Sequence, residues 1–214
     1  MIVYEAEKRD FLRHCDDEEI EELILDRFIQ TEGHRVAAAE VCSWRESLRE
    51  MARVLRDDDI PGTAGVAVEL HIPQSSKRID VTLSGFDSEG RKNAIIVELK
   101  QWEAAVATEK DAIVRTWVGG THREMVHPSY QAWSYAALLE NFNEAVYSGD
   151  IVLKPCAYLH NYNPDGVIDS PRYRDHIERA PVFLRGREDR QRLREFIKKA
   201  VRTGDSGAVL AEIA

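Results

Sequence analysis

Hydrophobic and polar positions follow two different rhythms along the chain. Apolar residues recur three and four apart over residues 4–29 and again over about 38–55, and this spacing predicts helices. Three extended segments follow, at about 65–72, 77–84 and 93–100, and turn-rich connections separate them. Connections as short as these predict that the three strands form an antiparallel meander.

The second half of the chain is predicted to alternate between strands and helices. Pro128 suits the first position of a helix that runs to about residue 140, and a strand is expected over about 151–159. Residues 102–127 form a polar connection without a clear period. A short apolar segment at 182–184 precedes a basic helix over about 188–201. These elements indicate an α/β protein with one domain.

The segment 93–100 stands out because a buried strand ends in two charges. Its four consecutive apolar residues, three of them β-branched, predict a strand that is covered on both faces. Glu98 and Lys100 follow, and the alternation of side chains along a strand puts both on one side. Asp80 lies inside the preceding strand, where aspartate is disfavoured. Charges at such positions are costly unless they are paired, bound to metal or used in chemistry.

The composition changes this picture in one respect, the charge. Hydrophobic residues make up 43% and charged residues 31%, which is typical of a soluble globular protein. The formal net charge of −9 counts against a nucleic-acid partner. Residues 171–202, however, hold eleven Lys or Arg against five Asp or Glu, so this segment is either a phosphate-binding surface or a solvated helix face.

The cysteines and the apolar runs indicate the cellular compartment that is expected for the protein. Three scattered cysteines without metal-ligand spacing predict free thiols in a reducing environment. The sequence also has no apolar run long enough for a membrane span and no signal-peptide pattern at its start. A cytoplasmic protein without a membrane partner is therefore expected.

The charged residues at the strand ends have the chemistry of a metal site. The carboxylates of Asp80 and Glu98, with the backbone carbonyl of Leu99, offer hard oxygen ligands that suit Mg²⁺ or Mn²⁺. A metal there would activate a water and stabilise charge on a phosphodiester, and Lys100 would position the nucleophile or neutralise that charge. Glu40, at the edge of the apolar stripe of the 38–55 helix, could reach the same site. Taken alone, these charges could equally form a structural ion pair.

These residues carry a resemblance to a known enzyme superfamily. Asp80 followed by Glu98-Leu99-Lys100 resembles the PD-(D/E)XK nuclease motif, with Ile79 in place of the usual proline. The order of elements resembles the αβββαβ core of the restriction-endonuclease-like fold, which implies a mixed central sheet flanked by helices. The run from Gln131 to Tyr135 resembles the Gln-Xaa₃-Tyr helix of the RecB-like and lambda-exonuclease-like branch.

The resemblance extends over about residues 4–205. Several runs resemble the N-terminal nuclease region of bacterial proteins in which the nuclease precedes a helicase-type ATPase related to the Schlafen group. These runs are Glu40-Val41-Cys42-Ser43-Trp44, Ser76-Lys77-Arg78-Ile79-Asp80, Glu98-Leu99-Lys100-Gln101-Trp102, His127-Pro128-Ser129-Tyr130-Gln131 and Tyr158-Leu159-His160-Asn161-Tyr162. The ATPase phosphate loop, Gly-Xaa₄-Gly-Lys-Ser/Thr, does not occur in the sequence. A nuclease module of a larger protein and a stand-alone nuclease are both compatible with this.

The resemblance implies a role for each candidate residue. Asp80 and Glu98 would bind Mg²⁺ or Mn²⁺, Lys100 would be the catalytic lysine, and Glu40 would be a helical acid beside the metal or its water. Two further residues, Gln131 and Tyr135, would hold a DNA phosphate or the end of the substrate. The implied organisation is one nuclease domain, residues 1–214, with a helical extension at 1–35, a catalytic core at 36–160, and a C-terminal strand and basic helix at 161–214.

Three functions remain open from the sequence. The first is a metal-dependent deoxyribonuclease, with RNA not excluded as a substrate. The second is a catalytically silent module of the same fold that binds nucleic acid or a protein partner, and the third is a buried ion-pair network without such a partner. Four aromatic residues near the candidate site have a structural explanation that is at least as good as a functional one. These are Trp102, His127, Trp133 and His160.

Overall fold

The computed structural model describes residues 1–32 and 38–214 of the chain. The larger of two sheets has six strands, in the order β1-β2-β3-β4-β8-β9. These strands are β1 (Ile2–Glu7), β2 (Gly65–His71), β3 (Arg78–Phe86), β4 (Lys92–Lys100), β8 (Ile151–Leu159) and β9 (Val182–Phe183). The neighbours from β1 to β4 pair antiparallel, whereas β4–β8 and β8–β9 pair parallel, so the sheet is mixed.

Helices cover both faces of this sheet. They are α1 (Lys8–Asp16), α2 (Ile20–Glu32), α3 (Ala38–Leu55), α4 (Pro128–Phe142), α5 (Glu144–Tyr147), α6 (Arg174–Arg179), α7 (Arg187–Ala200) and α8 (Ala208–Ile213). Helices α1, α2, α3 and α7 contribute to one hydrophobic cluster, and α4, α5 and α8 contribute to another. Strand β4 supplies Ile95 and Val97 to the first cluster and Ala94 and Ile96 to the second. The apolar run of β4 is continuous because this strand is buried on both faces.

The prediction of a mixed α/β protein is confirmed. The antiparallel meander of β2, β3 and β4 is present, the long amphipathic helix spans Ala38–Leu55 as expected, and β8 lies parallel to β4. Helix α4 and the basic helix α7 also begin within a residue of their expected positions. Within the described part of the chain, no helix combines the length and the apolar composition that a membrane crossing requires.

The prediction of helix throughout residues 4–29 was wrong at its beginning. Residues Ile2–Glu7 form the edge strand β1, which pairs with β2, so the N-terminal region is not a purely helical extension. Tyr4 and Phe11 stack edge to ring and are both buried. A short apolar run fits a strand as well as a helix, and pairing with an available sheet edge decides between them.

The prediction of a connection without regular structure over residues 102–127 was also wrong. This segment forms a second sheet of three antiparallel strands, β5 (Ala105–Ala107), β6 (Ile113–Val118) and β7 (Thr121–Val126). Gly119 and Gly120 both have positive φ and make the tight turn between β6 and β7, the conformation that a two-residue hairpin requires. Inward-facing residues of this sheet, such as Ala105 and Val114, join a third hydrophobic cluster.

A buried aspartate joins the C-terminal segment to the large sheet. Asp205 accepts hydrogen bonds from the Ser84 hydroxyl on β3 and from the backbone N–H groups of Gly65, Gly207 and Val209. The sequence pattern does not predict α8, which follows this residue, because the helix is only six residues long.

Replacement of Asp205 is expected to destabilise the protein. Asp205→Ala leaves buried donors on two strands without an acceptor, and hydrogen bonds to a charged group contribute about 1.5–3 kcal/mol each, so the free energy of unfolding should fall by at least about 2 kcal/mol. Urea denaturation measures this change. Asp150→Ala, at an exposed position, is the control and should change it by less than about 0.5 kcal/mol. Equal stabilities of the two variants would contradict the assigned role of Asp205.

Candidate functional site

The regular pairing of β3 with β4 ends at two carboxylates. The ladder runs from Phe86 opposite Lys92 to Val81 opposite Val97, and the next residue on each strand is Asp80 and Glu98. There the Asp80 Oδ2 accepts a hydrogen bond from the backbone N–H of Leu99 at 2.7 Å. This bond holds the Asp80 carboxylate against β4, next to Glu98.

Lys100 and Gln131 both bind the same oxygen of Glu98. The Lys100 Nζ donates to Glu98 Oε1 at 2.6 Å, and the Gln131 Nε2 donates to the same atom at 2.7 Å. The Gln131 amide also contacts the Tyr135 hydroxyl at 2.8 Å. The structure thus brings five of the predicted residues into one continuous network. Its members are Asp80, Glu98, Lys100, Gln131 and Tyr135.

The start of helix α4 positions the glutamine. His127 is the N-cap of the helix, and its imidazole Nδ1 accepts a hydrogen bond from the Ser129 N–H, while the other ring nitrogen contacts the Ile168 carbonyl at 2.9 Å. Burial is the main cause that lowers the pKa of His127 to about 4. His127 is thus a neutral capping residue, and Gln131 lies one helical turn beyond it, above β4.

A pocket of about 370 Å³ opens onto this network. Besides the predicted residues it contains Glu69, Arg78 and Trp44, none of which the sequence patterns single out. The Trp44 indole N–H donates to Glu69 Oε1 at 2.9 Å, and an Arg78 nitrogen lies 3.2 Å from Glu69 Oε2. Glu69 has a φ of 55°, which is rare for a residue with a side chain and costs conformational energy.

The unusual backbone at Glu69 coincides with a local twist of two strands. Val68 and Val81 pack in the first hydrophobic cluster, whereas Leu70 and Ile79 pack in the second. Residues two apart on a regular strand share a face, so both strands twist between these positions. Alternation along a regular strand predicts that Ile79 and Val81 share one face, and this prediction is wrong for this reason.

A second polar chain lies behind the pocket. The Ser47 hydroxyl contacts His160 Nε2 at 3.2 Å and accepts a hydrogen bond from the Gln101 amide at 3.0 Å. His160 is 4% exposed, and burial is the main cause that lowers its pKa. Its other ring nitrogen, Nδ1, contacts the side-chain oxygen Oδ1 of Asn161 at 3.2 Å. These contacts account for His160 as a hydrogen-bonded residue of the interior.

The two carboxylates resist ionisation. Burial is the main cause that raises the pKa of Glu98, and the negative charge of Asp80 adds to it. Burial also raises the pKa of Asp80, although Lys100 and the Leu99 N–H act in the opposite direction. Burial alone would lower the pKa of Lys100, but the two neighbouring carboxylates outweigh it and raise that pKa. Lys100 is therefore charged, and it cannot compensate both carboxylates at once.

One atom of the network fits a metal ligand. Glu98 Oε2 is buried and has no hydrogen-bond partner among the described residues. Such an orphaned oxygen is costly unless something else binds it. Asp80 lies beside it, and Leu99 also lines the pocket. Two carboxylates suffice for Mg²⁺, which keeps several of its waters.

The predicted helical acid beside the metal or its water, Glu40, cannot be compared with this arrangement. Its backbone belongs to α3, but its side chain lies outside the described residues. Within residues 1–32 and 38–214, no group of three or more His, Cys, Asp or Glu side chains is arranged to hold a metal. Only the pair of strand carboxylates therefore supports metal binding here.

The remaining predicted residues have structural contacts. Trp102 is 8% exposed in the third hydrophobic cluster, with the Lys100 ammonium 5.7 Å from its ring centre. Trp133 stacks beneath the Arg179 guanidinium at 4.7 Å. On the basic helix α7, Arg194 donates to three backbone carbonyls that follow or end α3, and Lys198 pairs with Asp57, Asp59 and Glu195. These contacts favour a structural role for that helix over a phosphate-binding surface.

Comparisons with models of known protein families, with curated proteins and with solved structures gave no match.

The pKa shift of Glu98 predicts an unusual dependence of stability on pH. A carboxyl group with a raised pKa keeps its proton in the folded state after the unfolded state has lost it, so stability falls as pH rises above the usual value of 4.5. Glu98→Gln has no proton to lose. Its melting temperature relative to wild type should therefore rise between pH 5 and pH 8, by about 3–5 °C for each unit of raised pKa.

Thermal unfolding in metal-free buffer measures this difference. Glu109→Gln, at an exposed position, is the control and should show the same difference from wild type at every pH. A melting-temperature difference for Glu98→Gln that shrinks as pH rises would contradict the electrostatic account.

Proposed function

We propose that the chain is a Mg²⁺- or Mn²⁺-dependent nuclease of the PD-(D/E)XK class that hydrolyses phosphodiester bonds in DNA. The observation that carries the proposal is the unpartnered Glu98 Oε2 beside Asp80, with Lys100 and Gln131 both bound to the other oxygen. A structural ion pair would be expected to satisfy both carboxylate oxygens. Among the described residues, no donor reaches the second oxygen when both carboxylates are ionised, so this oxygen is available to a cation.

The element order supports the restriction-endonuclease-like core. Helix α3, the antiparallel strands β2 to β4, helix α4 and the parallel strand β8 follow one another in the order αβββαβ. The candidate residues sit on three of these elements, with Asp80 on β3, Glu98 and Lys100 on β4, and Gln131 on α4. The sheet β5–β7 is then an insertion between β4 and α4.

Each residue has a definite task in this proposal. Asp80 and Glu98 would hold the metal, which when bound supplies an acidified water and positive charge for the transition state. The Leu99 N–H keeps Asp80 in place, and Gln131 keeps Glu98 Oε1 turned away from the metal side. Lys100 stays protonated beside the carboxylates, so its ammonium can neutralise charge on the scissile phosphate.

The pocket has cations for a phosphate in spite of the acidic body. Lys77 and Arg78 line it together with Lys100. The net charge of −9 is distributed over the whole chain, whereas the pocket is lined by these three cations and by three carboxylates, those of Glu69, Asp80 and Glu98. A metal bound to Asp80 and Glu98 would shift this local balance towards positive charge. Tyr135, whose hydroxyl is held by Gln131, would complete the phosphate contacts.

A second function, a silent module of the same fold, is favoured by one observation. Lys100 and Gln131 both occupy Glu98 Oε1, and the raised pKa of Glu98 allows this residue to be neutral without metal. A network stabilised in this way does not need a cation. Binding of Mn²⁺ therefore separates the two functions.

The nuclease proposal predicts metal-dependent cleavage that requires the strand residues. Circular single-stranded, circular duplex and linear DNA are incubated with the wild type in Mg²⁺ or Mn²⁺. Cleavage should disappear with EDTA, and Asp80→Asn, Glu98→Gln and Lys100→Met should each reduce its rate at least about 100-fold, since each removes a charge that acts in the transition state. Glu109→Gln and Lys154→Met, both at exposed positions, are the matched controls and should cleave like the wild type.

Calorimetry with Mn²⁺ tests the site without catalysis. The wild type should bind Mn²⁺, more tightly at pH 8 than at pH 6 because the carboxylates must lose their protons first. Glu98→Gln should not bind it. DNA binding in EDTA together with no Mn²⁺ binding by the wild type would favour the silent module. Cleavage by Glu98→Gln at the wild-type rate would refute the assignment of the site.

A further inference from the structure

The insertion between β4 and α4 leaves and re-enters the core beside the candidate site. Strand β4 ends at Lys100, and α4 begins at Pro128, one turn before Gln131. Lys100 and Gln131 both donate to Glu98 Oε1, so the two ends of the insertion are tied to a single atom. The sheet β5–β7 therefore stands next to the opening of the pocket.

The two faces of this small sheet differ in character. Val114 and Thr116 of β6 are buried and point inward. Arg115 and Trp117 alternate with them and point outward, and Trp117 is 60% exposed. An indole exposed to this degree is unusual, because tryptophan is strongly buried on average.

The outward face combines an aromatic surface with a cation. Trp117 lies opposite His122 on β7, with their ring centres 5.1 Å apart and edge to face. Arg115 lies opposite Glu124, but Glu124 is paired with Lys110 at 2.5 Å. Arg115 forms no ion pair within the described ranges. Its guanidinium is thus available to an external anion.

A cavity of about 390 Å³ opens on this face. Trp117, His122 and Arg115 line it together with Gln101 and Trp102, which directly follow β4. Gln101 donates to Ser47, which lines the candidate-site pocket, and the Lys100 ammonium lies 5.7 Å from the Trp102 ring centre. Gln101 and Trp102, which follow β4, therefore link this cavity to residues of the candidate site through these two contacts.

We propose that the outward face of β5–β7 binds unpaired nucleotides of the substrate strand, with a base stacked on Trp117 and a phosphate held by Arg115. This inference rests on the proposed function, because it extends the substrate beyond the phosphate at Lys100. An indole offers a flat surface to any base, and a neighbouring cation tracks the backbone, which is the combination that single-strand binding requires. A paired base in a duplex has no free face to stack on Trp117.

Binding in EDTA tests the proposal without cleavage. A fluorescein-labelled oligothymidylate and a blunt duplex of the same length are titrated with the wild type, Trp117→Ala, Trp117→Phe and Arg115→Ala, with fluorescence anisotropy as the readout. Trp117→Ala should weaken binding of the single strand about tenfold and leave the duplex nearly unchanged, whereas Trp117→Phe should keep most of the affinity. Arg115→Ala should lower the salt dependence of single-strand binding by about one counterion.

The matched control is Tyr147→Ala. Tyr147 is 78% exposed, and α5, which carries it, precedes the start of β8, which pairs with Lys92 at the far end of β4. This variant removes an exposed aromatic ring away from the site and should bind both probes like the wild type. Thermal unfolding of all variants checks that their folds are intact.

The outcomes separate this proposal from the nuclease proposal. Selective loss of single-strand binding in Trp117→Ala supports the stacking site. If the wild type then shows no cleavage with any metal, only the nuclease proposal is refuted. Wild-type single-strand affinity in Trp117→Ala, equal losses for both probes, or no binding of the single strand by the wild type would each overturn the stacking site. One further outcome would overturn the stacking site: the wild type self-associates, and Trp117→Ala abolishes this self-association but leaves single-strand affinity unchanged. The outward face would then be a protein interface.

Discussion

The candidate site depends on an electrostatic imbalance at the end of the β3–β4 pairing. Asp80 and Glu98 are two carboxylates held side by side, and Lys100 supplies one positive charge between them. Strand β4 is packed on both faces, with Ile96 and Val97 fully buried, so the carboxylates cannot withdraw into water. Burial and mutual repulsion then raise the pKa of both groups. Such a cost persists only where the surrounding packing enforces it, and a further cation would relieve it.

Helix α4 fixes the position of one oxygen of Glu98 within this charge cluster. His127 caps the helix in its neutral form, and the helix direction then fixes Gln131 above β4, where its amide holds one oxygen of Glu98. The parallel strand β8 comes after α4 in the chain and pairs with the edge of β4 opposite to β3. The packing on both faces and the cap thus act together, because loosening either would let Glu98 rotate and satisfy its free oxygen with water.

The sequence predicts the elements that combine a clear period with a sufficient length. Helix α3 and strand β4 belong to this group, and the carboxylates at the strand ends followed from alternation alone. The edge strand β1 was predicted as helix because six residues are too few to show a clear period, and the sheet edge with which they pair is formed by residues far along the chain. Glu69 was missed for another reason. Glu69 reaches the pocket with a positive φ, and a glutamate in the sequence does not predict that backbone conformation.

The insertion β5–β7 would separate recognition of a ligand from the chemistry that is proposed for the strand ends. Its inner face is occupied by the third hydrophobic cluster, with Val114 packed in the same cluster as Tyr162 and Tyr173, so the sheet is held rigidly. The residues of its outer face do not pack in this cluster, and substitutions there should not change the contacts of Glu98. The large exposed area of Trp117 is therefore not required by the fold. Because both ends of the insertion meet at Glu98, any ligand on the outer face is held at a fixed distance from the carboxylates. Under the proposed nuclease function, rigid attachment of this kind would let a surface residue select the form of the substrate while the strand ends act on its backbone.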